Sequence, residues 1–202
     1  VAAGLVPKLA AGTIVVILDA AAPHAGHLPE RADITYFVTH PCHPPIFNDE
    51  IEEAARADHF GGIAAKQHIV NALMQGPEAH YAFGEEVARA IWAPVMRSHR
   101  VTVEQMAILE PGLSETVCAT LLDAMREAME EAIARGVPRE AARDFLLGHM
   151  NILAAVTFGE VQGVFSDACN KAIVFGKETI LKPDWKRLFE PDEIADSVRR
   201  IT

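Results

Sequence analysis

The chain has 202 residues, half of them hydrophobic, with 28 acidic against 18 basic side chains and a formal net charge of −10. That is enough apolar material for one large or two small cores, and no apolar run reaches the ~20 residues a membrane span needs. An acidic surface of this size repels polyphosphates and anionic lipid, which argues against nucleic acid and membrane surfaces as partners. The first residues, from Val1 to Leu18, lack the basic start and small-residue cleavage site of a secretory signal. Cys42, Cys118 and Cys169 are odd in number and widely spaced, and read as reduced thiols of a cytoplasmic protein. The chain opens on Val1 with no methionine before Met74, so it is expected to be part of a longer protein.

In chain order, residues 5–10 read as the end of a helix closed by Gly12. The run Thr13-Ile14-Val15-Val16-Ile17-Leu18 reads as a buried strand with Asp19 at its C-terminal end. A loop leads to a second strand, Ile34-Thr35-Tyr36-Phe37-Val38, whose β-branched and aromatic residues favour extended backbone. A short helix is possible in residues 48–59, and residues 66–74 are a further candidate strand. Residues 78–93 have helical spacing, and residues 94–101 read as a connector. From Thr102 the pattern turns helical. Thr102-Val103-Glu104-Gln105 is a capping-box sequence, and Gly136-Val137-Pro138 is a strong stop. A second helix is expected over 139–158, a third capped by Ser166, and a last one begun by Pro191 at its first position. The expected fold is therefore α/β plus all-α. The second half of a Rossmann-like parallel sheet occupies residues 1–101, and a helical domain occupies residues 102–202.

Two places carry chemistry. After the second strand comes Thr39-His40-Pro41-Cys42-His43-Pro44-Pro45, whose prolines forbid both a helix and a continuing central strand. Two imidazoles are thus held on a stiff loop at the sheet edge where open α/β folds bind ligands. In the long helix, Met106, Leu113, Val117, Leu121 and Ala124 mark an expected buried stripe, and Glu110 lies on it. A carboxylate there must be paired, hydrogen-bonded or bound to a cation, and Pro111 predicts a kink beside it. The pairing alternative is an arginine such as Arg97 or Arg100. His40 with Glu110 makes a sparse nitrogen and oxygen set suited to a zinc-like or magnesium-like divalent ion acting as a Lewis acid. His43 is a second ligand or general base, and Lys66 is another acid/base candidate. Asp19 either faces a cofactor sugar or caps a loop. No G-x-G-x-x-G phosphate loop occurs.

The stretches 38–45, Gly61-Gly62-Ile63-Ala64-Ala65-Lys66-Gln67, 90–101 and Ile108-Leu109-Glu110-Pro111-Gly112-Leu113-Ser114-Glu115-Thr116 resemble the group related to 6-phosphogluconate dehydrogenase. Within it they are most like members acting on the branched sugar acid D-apionate. The resemblance implies an NAD-binding Rossmann half preceding Val1 and a helical C-terminal domain that binds substrate and helps form a homodimer. It places the family's metal ligands on His40 and Glu110. The implied activity is NAD-dependent, metal-assisted oxidation of D-apionate with rearrangement to 3-oxo-isoapionate. The alternatives are a simple hydroxyacid or sugar-acid dehydrogenase, decarboxylating or not, and a non-catalytic dimerisation and substrate domain.

Overall fold

The structure, a computed structural model, describes residues 2–201, with side chains from residue 4 onward. Four strands form one sheet in the order β1-β2-β3-β4: β1 (Ile14–Ile17), β2 (Thr35–Pro41), β3 (Gln67–Gln75) and β4 (Val95–Arg100). The helices around it are α1 (Ala2–Leu5), α2 (Ala21–His24), α3 (Glu53–Ala57), α4 (His80–Ile91) and α5 (Val103–Ala107).

The sheet is mixed, where a parallel one was expected. β1 and β2 are parallel, as are β3 and β4, but β3 runs antiparallel to β2. The physical reason lies in the loop between β2 and β3. Its only helix is α3, of five residues, too short to carry the chain back across the sheet as a parallel connection requires. The chain re-enters from the end at which it left. By contrast α4, with twelve residues, makes a full crossover and leaves β4 parallel to β3. β4 itself replaces the expected connector. Its sequence, Val-Met-Arg-Ser-His-Arg, is too polar to announce a strand, and the ladder with β3 holds it extended.

The central strand β2 separates two apolar layers. Phe37 and Ile69 point to one face, where they meet Ala88 of α4. Val38, Val70 and Ala72 point to the other, where they meet Met106 of α5. Gly84 lets α4 come down onto the sheet. A Cβ built there would sit 2.4 Å from the Phe37 ring, which is fully buried. Helix propensity alone would favour alanine at this position, but the overpacking outweighs it. Gly84→Ala is expected to cost about 1–3 kcal/mol and to lower the thermal midpoint in a circular-dichroism melt, whereas a raised midpoint would mean that Phe37 gives way.

After α5 come a π-helical stretch (Ile108–Ala119), α6 (Thr120–Ala134), α7 (Arg139–Thr157), α8 (Asp167–Ile180), a 3₁₀ turn (Trp185–Phe189) and α9 (Pro191–Ile201). Two compact units result: residues 1–114 with 189–202, and residues 115–188. The first unit runs past the expected division at 101/102 because α5 buries Met106 on the sheet. It also regains the C-terminus, where Ile194 and Val198 of α9 pack on Ala21 and Ala107. In the second unit α6 and α7 pack on each other, but neither α6 nor α8 has a buried residue. The expected stripe beyond Met106 is not buried: Leu113 and Leu121 are exposed. The π-helical winding from Ile108 breaks the 3.6-residue period on which that stripe was projected. No described helix is long and apolar enough to cross a membrane.

Candidate active site

His40 is the next-to-last residue of β2, on the same face as Val38 and Met106; it lies within the strand, where a loop beyond Val38 was expected, because its pairing with Val70 and that of Pro41 with Ile69 carry β2 on to Pro41. Its Nδ1 lies 2.8 Å from the carbonyl oxygen of Pro41. A carbonyl only accepts, so Nδ1 carries the proton, and the other ring nitrogen, Nε2, is presented outward. That nitrogen lies 2.8 Å from Oε1 of Glu110.

Glu110 arrives from the opposite side through a chain of local causes. Thr102 caps α5 through its Oγ1, which accepts from the Gln105 N–H, while Gln105 Oε1 accepts from the Thr102 N–H. That fixes the direction in which the helix leaves the sheet. Pro111 lacks an N–H and cannot continue the α-helical ladder. The backbone opens into the π-helical stretch, and Glu110 lies in its first turn. The arginines that offered the alternative partner are engaged elsewhere: Arg100 pairs with Glu78, and Arg97 reaches His68.

The electrostatics of the pair follow from its geometry. Burial by itself depresses the His40 pKa, but the hydrogen bond and charge of Glu110, the Pro41 carbonyl and the Asp19 charge outweigh it, and the net shift is upward. The upward shift favours a proton on Nε2, which donates to Glu110 Oε1. The second carboxylate oxygen, Glu110 Oε2, is buried without a hydrogen-bond partner. An orphan acceptor of this kind costs about 1–3 kcal/mol and calls for an explanation. A divalent cation fits. It would replace the Nε2 proton, take the imidazole nitrogen and satisfy the orphan oxygen with a donor set that such ions accept. Among the described residues no group of three or more metal-ligating side chains occurs. His40 and Glu110 would therefore leave most of the coordination sphere to water or substrate.

The other expected residues are placed differently. Asp19 Oδ1 accepts from the Ala21 N–H at 2.7 Å, so it holds the turn leading into α2 while its charge acts on His40. His43 has a positive φ of 61°, and its ring stands edge-on to His40 with centroids 6.1 Å apart. Its Nδ1 donates to the Phe60 carbonyl at 2.7 Å, which leaves Nε2 as the basic nitrogen. Lys66 is not brought to this pair. Its Nζ lies 3.1 Å from Asp49 Oδ1, and the hydrogen bond and charge of Asp49, with the Glu50 charge, raise its pKa. A general base needs the opposite shift.

Sequence reasoning missed Asp58. Its side chain accepts from the backbone N–H groups of Gly61, Ile63, Ala64 and Ala65. Gly61 and Gly62, both at φ +87°, supply the turn that points those amides at the carboxylate. The loop so held carries Phe60, whose carbonyl anchors His43. The signal was an Asp three residues ahead of a Gly-Gly pair. These amides, Ala64 first, hold the Asp58 carboxyl below its usual range. A depressed folded-state pKa contributes stability that is present above the ordinary carboxylate pKa and lost as pH falls through the folded one. Asp58→Asn is therefore expected to flatten the acid limb of an unfolding curve followed by circular dichroism below about pH 4, and an unchanged acid limb would contradict this role.

Comparison with known proteins places this arrangement in context. Residues 48–202 match the family model described as phosphogluconate dehydrogenase (decarboxylating) C-term. The chain is 73% identical to a D-apionate oxidoisomerase of Rhizobium rhizogenes, over all of this chain and 74% of that protein. It is 65% identical to one of Cupriavidus necator, over all of this chain and 73% of that protein. Among solved structures it is similar to a semialdehyde dehydrogenase NAD-binding protein from Cupriavidus necator in complex with calcium and NAD. That likeness has a TM-score of 0.97 and 66% identity, covering all of this chain and 73% of the other.

Proposed function

From the premise that the chain belongs to the phosphogluconate dehydrogenase family, as an NAD-dependent oxidoreductase of the D-apionate oxidoisomerase group, we propose that it oxidises and isomerises D-apionate to 3-oxo-isoapionate with a divalent cation on His40 and Glu110. The observation that carries this reading is the His40–Glu110 contact of 2.8 Å with Glu110 Oε2 left buried and unpartnered.

The chemistry divides into two steps. The C2 carbinol loses a hydride to the nicotinamide and its hydroxyl proton to a base, giving a ketone beside the tertiary C3 alcohol. The tertiary hydroxyl then loses its proton. C3 becomes a carbonyl as its hydroxymethyl group moves, with the bonding pair, to C2, and the oxygen on C2 gains a proton. A bound divalent cation supplies Lewis acidity to the adjoining oxygens. The protein's own tasks are orientation and proton transfer. His40 is locked in one tautomer by Pro41 and offers Nε2. Glu110 offers a carboxylate on a helix set by its capping box. His43, with Nε2 free and Nδ1–H anchored on Phe60, is the group suited to take the hydroxyl proton.

The helical unit supports a homodimer. Phe145, Phe158, Val164, Phe175 and Ile180 are all more than two-thirds exposed in the single chain. Exposed apolar surface of that extent marks a protein interface, and a second copy supplies a matching apolar face. Cys42, Cys118 and Cys169 are free, which favours a reducing compartment such as the cytoplasm.

The test is product identification by NMR after incubating the intact protein with D-apionate, NAD and a divalent ion. A product with the rearranged skeleton is expected, and chelation should stop its formation. An oxidised but unrearranged product would favour a simple dehydrogenase.

A further inference from the structure

The sheet face that carries His40 continues across β3 and β4. His40 is opposite Val70, and Val70 is opposite His99, so the three form a row. One step along, the N–H of Cys42 donates to the carbonyl of His68 at 2.8 Å. His68 shares a face with Val70, two residues on; the β3–β4 register shifts between Gln67 and Ile69, and there Arg97 meets the His68 ring. The His68 and His99 rings stand edge to face at 5.9 Å, so both project on this one side. No reading of the sequence gave these histidines a role.

Their hydrogen bonding is unbalanced. Arg97 Nη2 lies 3.4 Å from His68 Nε2. A guanidinium only donates, so Nε2 accepts and His68 carries its proton on Nδ1. That Nδ1 is buried with no partner. It is a buried donor lacking an acceptor, next to a cation. None of the ion pairs found among the described residues engages Arg97, although the chain carries ten more acidic than basic side chains. Burial and the Arg97 and His99 charges lower the pKa of His68, in keeping with the neutral, donating tautomer. What is missing from this cluster is an anion that accepts from Nδ1–H and faces the guanidinium.

Resting on the reading of the protein as a sugar-acid oxidoisomerase, we infer that Arg97, His68 and His99 form the subsite that binds the substrate's carboxylate. Adjacent strands are about 4.8 Å apart. From His40 on β2 to His68 on β3 is thus about the length of a short sugar acid, and Arg97 on β4 is within reach of its long side chain. The oxidised and migrating carbons then lie toward His40 and Glu110, and the carboxylate toward Arg97. This also answers how an acidic protein admits an anion: the face presents one guanidinium uncompensated by acid. Arg97 and His68 act as positioning and specificity residues, selecting 2-hydroxycarboxylates over neutral polyols.

The test uses the intact protein in two measurements. Equilibrium binding of D-apionate and of D-erythronate, without NAD, is compared in wild type, Arg97→Met and Arg97→Lys by calorimetry. Arg97→Met should weaken both carboxylates about 10- to 100-fold, Arg97→Lys less so, and binding of the neutral polyol D-apiitol should not change. In steady-state assays Arg97→Met should raise KM by a similar factor with kcat within a few-fold. Equal carboxylate affinity in wild type and Arg97→Met would overturn the subsite. Binding that depends on Arg97 while D-apionate gives no product would keep the subsite and overturn the activity instead.

Discussion

Glu110→Gln in the intact enzyme is expected to lower turnover about 10²- to 10⁴-fold while NAD still binds. The size of the effect follows from the hydrogen-bond arithmetic at His40. Nδ1–H is committed to the Pro41 carbonyl, so Nε2 is the only ring nitrogen that can change partner. A glutamine amide would donate to that lone pair and form a neutral pair of almost the same shape. The same substitution removes the negative charge and one of the two carboxylate oxygens that a cation needs. His40→Ala acts from the other side and leaves the Glu110 carboxylate with both oxygens unpaired, which also costs about 1–3 kcal/mol of stability. The checks are NADH formation by absorbance, NAD binding by fluorescence, and divalent-ion binding by calorimetry. Loss of ion binding together with turnover is expected in Glu110→Gln. Turnover at the wild-type level in both variants would remove the proposed centre.

The second large effect is expected at the helical unit. In Phe145→Asp and Phe175→Asp, carboxylates replace rings that are exposed in the single chain, 69% and 68% respectively. In an isolated chain such changes are nearly neutral. In a two-fold dimer each counts twice, because the same patch serves both copies. Burying a phenylalanine contributes about 1.5–3 kcal/mol. The doubled loss corresponds to roughly 10²- to 10⁴-fold in the dimer dissociation constant for a single substitution. Sedimentation-velocity mass across a concentration series reads this directly. Wild type is expected as a dimer at micromolar concentration and the double variant as a monomer. A monomeric wild type would contradict the homodimer.

Much of this arrangement was legible before any coordinates. Glu110 was singled out on an apolar stripe that the π-helical winding in fact breaks, and His40 because prolines were expected to hold it on a loop, where the strand in fact runs on to Pro41. The structure puts those two in contact. The residues of the second layer were harder. Asp58 looks like an ordinary loop acid until four backbone N–H groups converge on it. Lys66 looked reactive until Asp49 was found beside it, a partner seventeen residues away that no local spacing reveals. His68 and His99 lie thirty-one positions apart in the chain, and only the β3–β4 ladder makes them neighbours.

Local chemistry alone determined the strand over 35–38, the capping box at Thr102, the Ser166 cap and the proline start of the last helix. Each rests on propensities and hydrogen bonds within a few residues, so a short window contains the whole cause. Tertiary structure decided the direction of β3, the existence of β4, the meeting of Glu110 with His40, and the row of polar groups across the sheet. In each of these the deciding energy comes from partners distant along the chain: ladder hydrogen bonds, packing against Met106, and ion pairing. A one-dimensional pattern carries no record of which distant groups fold into contact.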